Sequence, residues 1–123
     1  MINTRKSLSC YTKPMTKRIL LKLSGEQLQG EFASGFDPKR ARWIAGQIKP
    51  ALETGAEVVI MVGGGNYVRG NQIIGHGIQP VSAHNIGMLS TLMNAIALAD
   101  VFNDASLPTR ALSTVEINQF IDQ

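Results

Sequence analysis

The stretch Glu57-Val58-Val59-Ile60-Met61-Val62-Gly63-Gly64-Gly65-Asn66-Tyr67-Val68-Arg69-Gly70 limits what this chain can fold into more than any other. Apolar, mostly β-branched residues run directly into three glycines, and an arginine follows four positions later. A short apolar run bounded by glycine reads as a fully buried parallel strand. Glycines at its end let the backbone approach something that a Cβ would hold away. Exposed amides beside a guanidinium suit a phosphate group.

The flanking sequence supplies a β-α-β frame. Lys17 to Leu23 reads as a strand ending in the small-residue turn Ser24-Gly25. Lys22 lies inside that apolar run, which is costly unless its amine emerges at the strand end and meets an anion or water. Gly30 and Gly35 mark a loop. Asp37-Pro38 starts a helix, with an N-cap acceptor and proline at the first helical position. Ala41, Ile44, Ala45, Ile48 and Leu52 continue it at helical spacing to a Gly55 cap, with Pro50 expected to kink or shorten it.

After the glycine junction, residues 73–80 read as a loop and Val81 to Asn103 as a long helix. Ile86, Leu89, Leu92, Met93, Ile96 and Ala97 line one face of this helix. Because the remaining surface is also largely apolar, it belongs in a core or an interface. Leu107 to Leu112 reads as a third strand, and Ser113 to Gln123 as a loop or the first turn of a helix. The order predicts an α/β fold with a mainly parallel sheet and right-handed crossovers. Three strands and two crossovers do not cover both faces of such a sheet. The chain is therefore expected to be the first half of something larger.

Charge is unevenly distributed. Of 12 basic residues, Arg5, Lys6, Lys13, Lys17, Arg18 and Lys22 precede the first acidic one, Glu26, leaving six against nine acidic groups in the rest. That balance argues against a nucleic-acid surface spread over the fold. Residues 1–16 read as a disordered basic tail without a signal-peptide core, and Met15 offers an alternative start. The single cysteine, Cys10, cannot form an internal disulfide, so a reduced, cytoplasmic setting is expected. No run approaches the length of a membrane span, and no membrane partner is expected.

Two familiar phosphate loops are excluded by position. A dinucleotide fingerprint requires glycine at 68, where valine stands, and a P-loop requires lysine at 71, where the chain has Asn71-Gln72. The remaining reading is a site built from two strand ends, Lys22-Leu23-Ser24-Gly25 and Gly63-Gly64-Gly65, with Arg69 as a clamp. His76 and His84 lack metal-ligand partners at useful spacing. His84 is expected to face the same crevice, and no resident metal site is expected.

Three ordered segments carry a family resemblance: Lys17 to Glu26, Val62 to Gly70, and Gly87-Met88-Leu89-Ser90-Thr91-Leu92-Met93-Asn94. Together they resemble the bacterial uridylate (UMP) kinases of the amino acid kinase family across residues 17–123. The resemblance implies a three-layer αβα sandwich, apparently truncated. On that resemblance residues 17–123 would be the N-terminal, UMP-binding part, and the ATP-binding C-terminal half would lie outside this sequence. It implies ATP + UMP giving ADP + UDP in pyrimidine nucleotide biosynthesis, with magnesium carried by ATP. The family also implies a cytoplasmic homohexamer, activated by GTP and inhibited by UTP. Lys22 and Arg69 would be catalytic, contacting the transferring phosphates. Leu23, Ser24, Gly25 and Gly65 would complete the ATP phosphate cradle, and Gly64 and His84 would contact UMP. The loop Gly30, Glu31, Phe32, Ala33, Ser34 and Gly35 resembles one associated with GTP activation.

There are departures from the family pattern. His84 stands where the family has a ribose-binding aspartate. Ala99 and Asn103 replace effector-site residues, of which Arg110 is retained. The alternatives are another phosphotransferase of the same fold, or an inactive nucleotide-binding or oligomerisation module.

Overall fold

The computed structural model describes residues 16–114 and Glu116. The expected tail (1–16, apart from Thr16), Cys10 and most of the segment Ser113 to Gln123 lie outside the described residues. Strand β1 (Arg18–Leu23) leads through a 3-10 turn (Gly25–Leu28) to helix α1 (Pro38–Glu53). Strand β2 (Glu57–Val62), the short helix α2 (Gly70–Ile73) and helix α3 (Pro80–Asp104) follow.

Both strands are parallel and in register, from Arg18 opposite Glu57 to Leu23 opposite Val62. Side chains alternate across a strand, so this register places Ile19, Leu21 and Leu23 beside Val58, Ile60 and Val62 on one face. That face meets Ile44 and Ile48 of α1 and Leu98 and Phe102 of α3 in a single core. Leu28 and Leu107 join it from the connecting segments. The parallel sheet and the helices on one of its faces form an α/β unit.

The sequence reading of β2 as fully buried is corrected. Val59 and Met61 are each 55% exposed and Leu20 is 64% exposed. Among the described residues the helices cover only the opposite face. Lys22 shares the open face and is itself exposed, so its amine incurs no burial cost here.

Helix α1 starts as its sequence dictates. The Asp37 carboxylate accepts from the Lys39 N–H at 2.9 Å, and Pro38 occupies the first turn. Pro50 does not shorten the helix, which runs on to Glu53. The carbonyl that loses its partner belongs to Gly46, on the exposed side, where water can replace the bond. Gly55 follows with φ 82°, a left-handed conformation that ends the helix without Cβ strain.

Helix α3 is long and apolar enough to cross a membrane by length and composition, a length the sequence reading did not grant. It nevertheless packs through Ala83, Ser90, Asn94, Leu98, Ala99 and Phe102. This stripe is not the face expected from the sequence: Met93 and Ile96 are about half exposed, whereas Ser90 and Asn94 are buried.

The expected third strand is not formed. Residues 107–113 are irregular. The Asn103 side chain donates to the Thr109 carbonyl at 3.0 Å and accepts from its N–H at 2.9 Å. Both backbone groups of Thr109 are thereby satisfied locally, and Pro108 has no N–H to offer a ladder.

A candidate phosphate cleft between two strand ends

The parallel register brings the C-terminal ends of β1 and β2 side by side, so the turns that follow them must pack against each other. The ladder continues one step past the strands, with the Gly63 N–H donating to the Leu23 carbonyl at 3.0 Å. A Cβ on Gly25 would lie 2.5 Å from the Gly65 nitrogen and from Asn66 Oδ1. The two turns therefore interlock backbone to backbone. The Gly64 carbonyl accepts from the Tyr67 N–H at 3.0 Å, which folds the chain back toward Arg69.

Between the turns lies a cleft of about 390 Å³. Its walls include Lys22, Leu23, Ser24, Gly25, Gly65 and Arg69, all six residues expected to form the donor-phosphate cradle. Two cations and closely spaced backbone dipoles in one open cleft can hold an oligophosphate and offset its charge. The dimensions fall within the range of small-ligand sites.

Glu26 also lines the cleft, and sequence reasoning gave it no role. Its carboxylate forms an ion pair with the Arg69 guanidinium, and the same carboxylate is what a Cβ on Gly65 would strike. Hydrogen bonding by its own backbone holds the Glu26 carboxyl below the usual carboxylate range; burial opposes this, and the Arg69 charge and hydrogen bonds from Arg69 and Ser24 add to the lowering. The signal in the sequence was its position: the first acidic residue, directly after Ser24-Gly25.

The residues expected to contact UMP are placed differently. Gly64 faces helix α3, where a Cβ would lie 2.7 Å from Ser90 Cβ and from the Thr91 nitrogen. Its lack of a side chain is required by that helix contact. His84 is exposed in the first turns of α3 and is not among the residues lining the cleft. At 1.5 Å per residue it sits about 10 Å along the helix axis from the Gly64 contact. The structure thus unites the Lys22, Ser24, Gly25, Gly65 and Arg69 group and leaves His84 apart from it.

Two buried asparagines were also unassigned. Asn94 from α3 and Asn66 from the glycine turn are 0% and 2% exposed. They hydrogen-bond to each other and to the Gly63 and Gly35 carbonyls. The detectable signal was Asn94 itself, an amide in the middle of an apolar helix. The loop from Gly30 to Gly35 is thereby held against the glycine turn, with Gly30 and Gly35 at φ 57° and 89°.

Among the described residues no three His, Cys, Asp or Glu side chains cluster in a way that could hold a metal ion. The cleft's own charge is mainly cationic, and its one carboxylate, Glu26, is already paired with Arg69.

The model of the amino acid kinase family matches residues 17–122, and the chain belongs to that family. Within it, the likeness is to uridylate kinases. The chain is 39% identical over 115 residues to the uridylate kinase of Dichelobacter nodosus, covering 94% of this chain and 48% of the relative. It is 41% identical over 108 residues to that of Methylococcus capsulatus, covering 88% and 45%. Crystal structures agree: UMP kinase from Ureaplasma parvum superposes with a TM-score of 0.74 at 29% identity, over 87% of this chain and 45% of that one. UMP kinase from Bacillus anthracis gives 0.65 at 41% identity, over 72% and 36%. The chain spans about half the length of the curated relatives it matches.

Proposed function

We propose that residues 17–123 form the N-terminal half of a UMP kinase that transfers the terminal phosphoryl group of ATP to UMP, giving ADP and UDP. The observation that carries this reading is the interlocked pair of turns. They set Lys22, Ser24, Gly25, Gly65 and Arg69 around one cleft, in a chain whose relatives bear the name uridylate kinase.

The chemistry asked of the protein is positioning and charge neutralisation. Lys22, rising from the end of β1, would place its ammonium against the transferring phosphoryl group. Arg69, oriented by Glu26, would exchange part of that ion pair for phosphate oxygens. The Ser24-Gly25 and Gly63-Gly64-Gly65 turns, locked to each other, would hold the donor phosphates without reorganising as charge shifts. Magnesium carried by ATP would supply further charge neutralisation on the phosphate oxygens. Transfer would be direct and in line, with no covalent protein intermediate.

His84 would meet the acceptor nucleotide only if the substrate extends along α3 toward its first turns. There it would act as a neutral hydrogen-bonding group in place of a carboxylate. The loop Gly30 to Gly35, bonded to the glycine turn through Asn66, is suited to carry an effector's influence into the cleft. We place GTP activation, UTP inhibition, homo-oligomeric assembly and a cytoplasmic setting in the same proposal.

The test is Lys22→Ala in a protein of the relatives' full length carrying this sequence. Turnover of ATP and UMP should fall by at least about 100-fold, the scale of losing one preorganised charge in a phosphoryl-transfer site. Turnover within a fewfold of the parent would remove Lys22 from the mechanism.

A further inference from the structure

The buried Asn66–Asn94 pair sits between three separate elements. Asn94 Nδ2 donates to Asn66 Oδ1 at 2.6 Å, and Asn66 Nδ2 donates back to Asn94 Oδ1 at 3.0 Å. The outer hydrogens are also used: Asn94 Nδ2 donates to the Gly63 carbonyl at 2.7 Å, and Asn66 Nδ2 to the Gly35 carbonyl at 2.8 Å. The Asn66 carbonyl in turn accepts from the Gly35 N–H at 2.8 Å.

A carbonyl at each end dictates which way both amides point, because a flipped amide would set oxygen against oxygen. Four donor hydrogens meet four acceptor positions, which explains how two polar side chains remain in the core without an unsatisfied group. An apolar pair would fill the volume equally well but would fix neither the glycine turn nor the loop.

We infer that Asn66 and Asn94 are positioning residues for the phosphate cleft: together they clamp the glycine turn to helix α3 and to the loop Gly30–Gly35, so that cleft and loop share one setting. Neither residue lines the cleft. Their effect reaches a ligand through Gly63 and Gly65. The inference rests on the proposed phosphate role of that cleft for its binding consequence, and on the hydrogen-bond geometry alone for its mechanical one.

The experiment compares the ¹⁵N-labelled 123-residue chain with Asn94→Ala and with Asn66→Ser, a second variant that retains a small polar side chain. Amide hydrogen exchange is read at Gly35 and Tyr67, with Ile48 of α1 as the core reference, and magnesium tripolyphosphate is the binding probe. Asn94→Ala should speed exchange at Gly35 and Tyr67 about tenfold more than at Ile48, and should weaken tripolyphosphate about tenfold. Equal acceleration at all three amides, or no change at Gly35 in either variant, would overturn the inference. Failure of the parent chain to bind tripolyphosphate would count against the phosphate reading, while the exchange comparison would still decide the clamp.

Discussion

Replacing Gly64 with alanine separates two explanations for the glycine triplet. If the glycine exists to admit a ligand, a methyl group should leave folding intact and impair only binding. The structure says otherwise. A Cβ at position 64 would lie 2.7 Å from Ser90 Cβ, 2.7 Å from the Thr91 nitrogen and 2.9 Å from the Ser90 carbonyl carbon. Two of these three atoms are helix backbone and cannot swing aside. Gly64 is not among the residues with positive φ, so the penalty is steric alone. Overpacking of this kind costs about 1–3 kcal/mol. For a unit of this size each kcal/mol moves the melting temperature by about 4–8 °C, so Gly64→Ala should melt about 10 °C below the parent.

Gly46→Ala is the matched control. A Cβ there meets nothing within 4 Å, and the residue lies inside helix α1. Better helix propensity should stabilise by about 1 kcal/mol and raise the melting temperature by about 5 °C. Thermal unfolding followed by circular dichroism measures both. Adding Ser90→Gly to Gly64→Ala should not restore stability, because it removes one of three contacts and weakens the helix. A Gly64→Ala chain that melts with the parent would refute the claim that α3 sets the shape of the glycine turn.

Three further perturbations probe other parts of the structure. The Glu26 carboxyl is depressed in the folded state, so its stabilising contribution is full above its unfolded pKa and is lost as pH falls through the lower folded value. Glu26→Gln should therefore flatten the acid limb of the stability–pH profile, by no more than about 1 kcal/mol for a pair this exposed, and acid titration of both chains by circular dichroism checks it. Asn103→Ala should leave both backbone groups of Thr109 without their side-chain partner and cost about 1 kcal/mol, visible as faster proteolysis within residues 107–112. Phe102→Ala, at a side chain only 3% exposed where α3 meets the sheet, should cost about 3–5 kcal/mol and remove most cooperative unfolding in urea.

The sequence was most informative where one local rule acted alone. Asp37-Pro38 fixed the start of α1, and the apolar runs fixed β1 and β2 to within a residue. The site was legible for a similar reason: parallel strands with glycine-containing turns at the same ends must bring those turns together, which predicted the company of Lys22, Gly25, Gly65 and Arg69. Helix α3 was harder to read because it is apolar nearly all round. Periodicity then carries no direction, and the buried stripe turned out to hold Ser90 and Asn94 while Met93 and Ile96 face outward.

The 107–112 run failed as a strand because an asparagine six residues before Thr109 captured the backbone groups a ladder needed. Glycine identity was legible but its cause was not. Gly64 answers to a helix and Gly25 to the neighbouring turn, contacts between segments far apart in the chain that no local pattern reveals.

The central claim is that the interlocked turns form a phosphate cleft operated by Lys22 and Arg69. Its most direct measurement is a titration of the ¹⁵N-labelled chain with magnesium ATP, followed by amide chemical shifts. The account predicts saturable shifts concentrated in residues 22–25 and 63–69, abolished in the Lys22→Ala/Arg69→Ala double variant. Shifts that fall elsewhere, or that survive the double substitution, would contradict it.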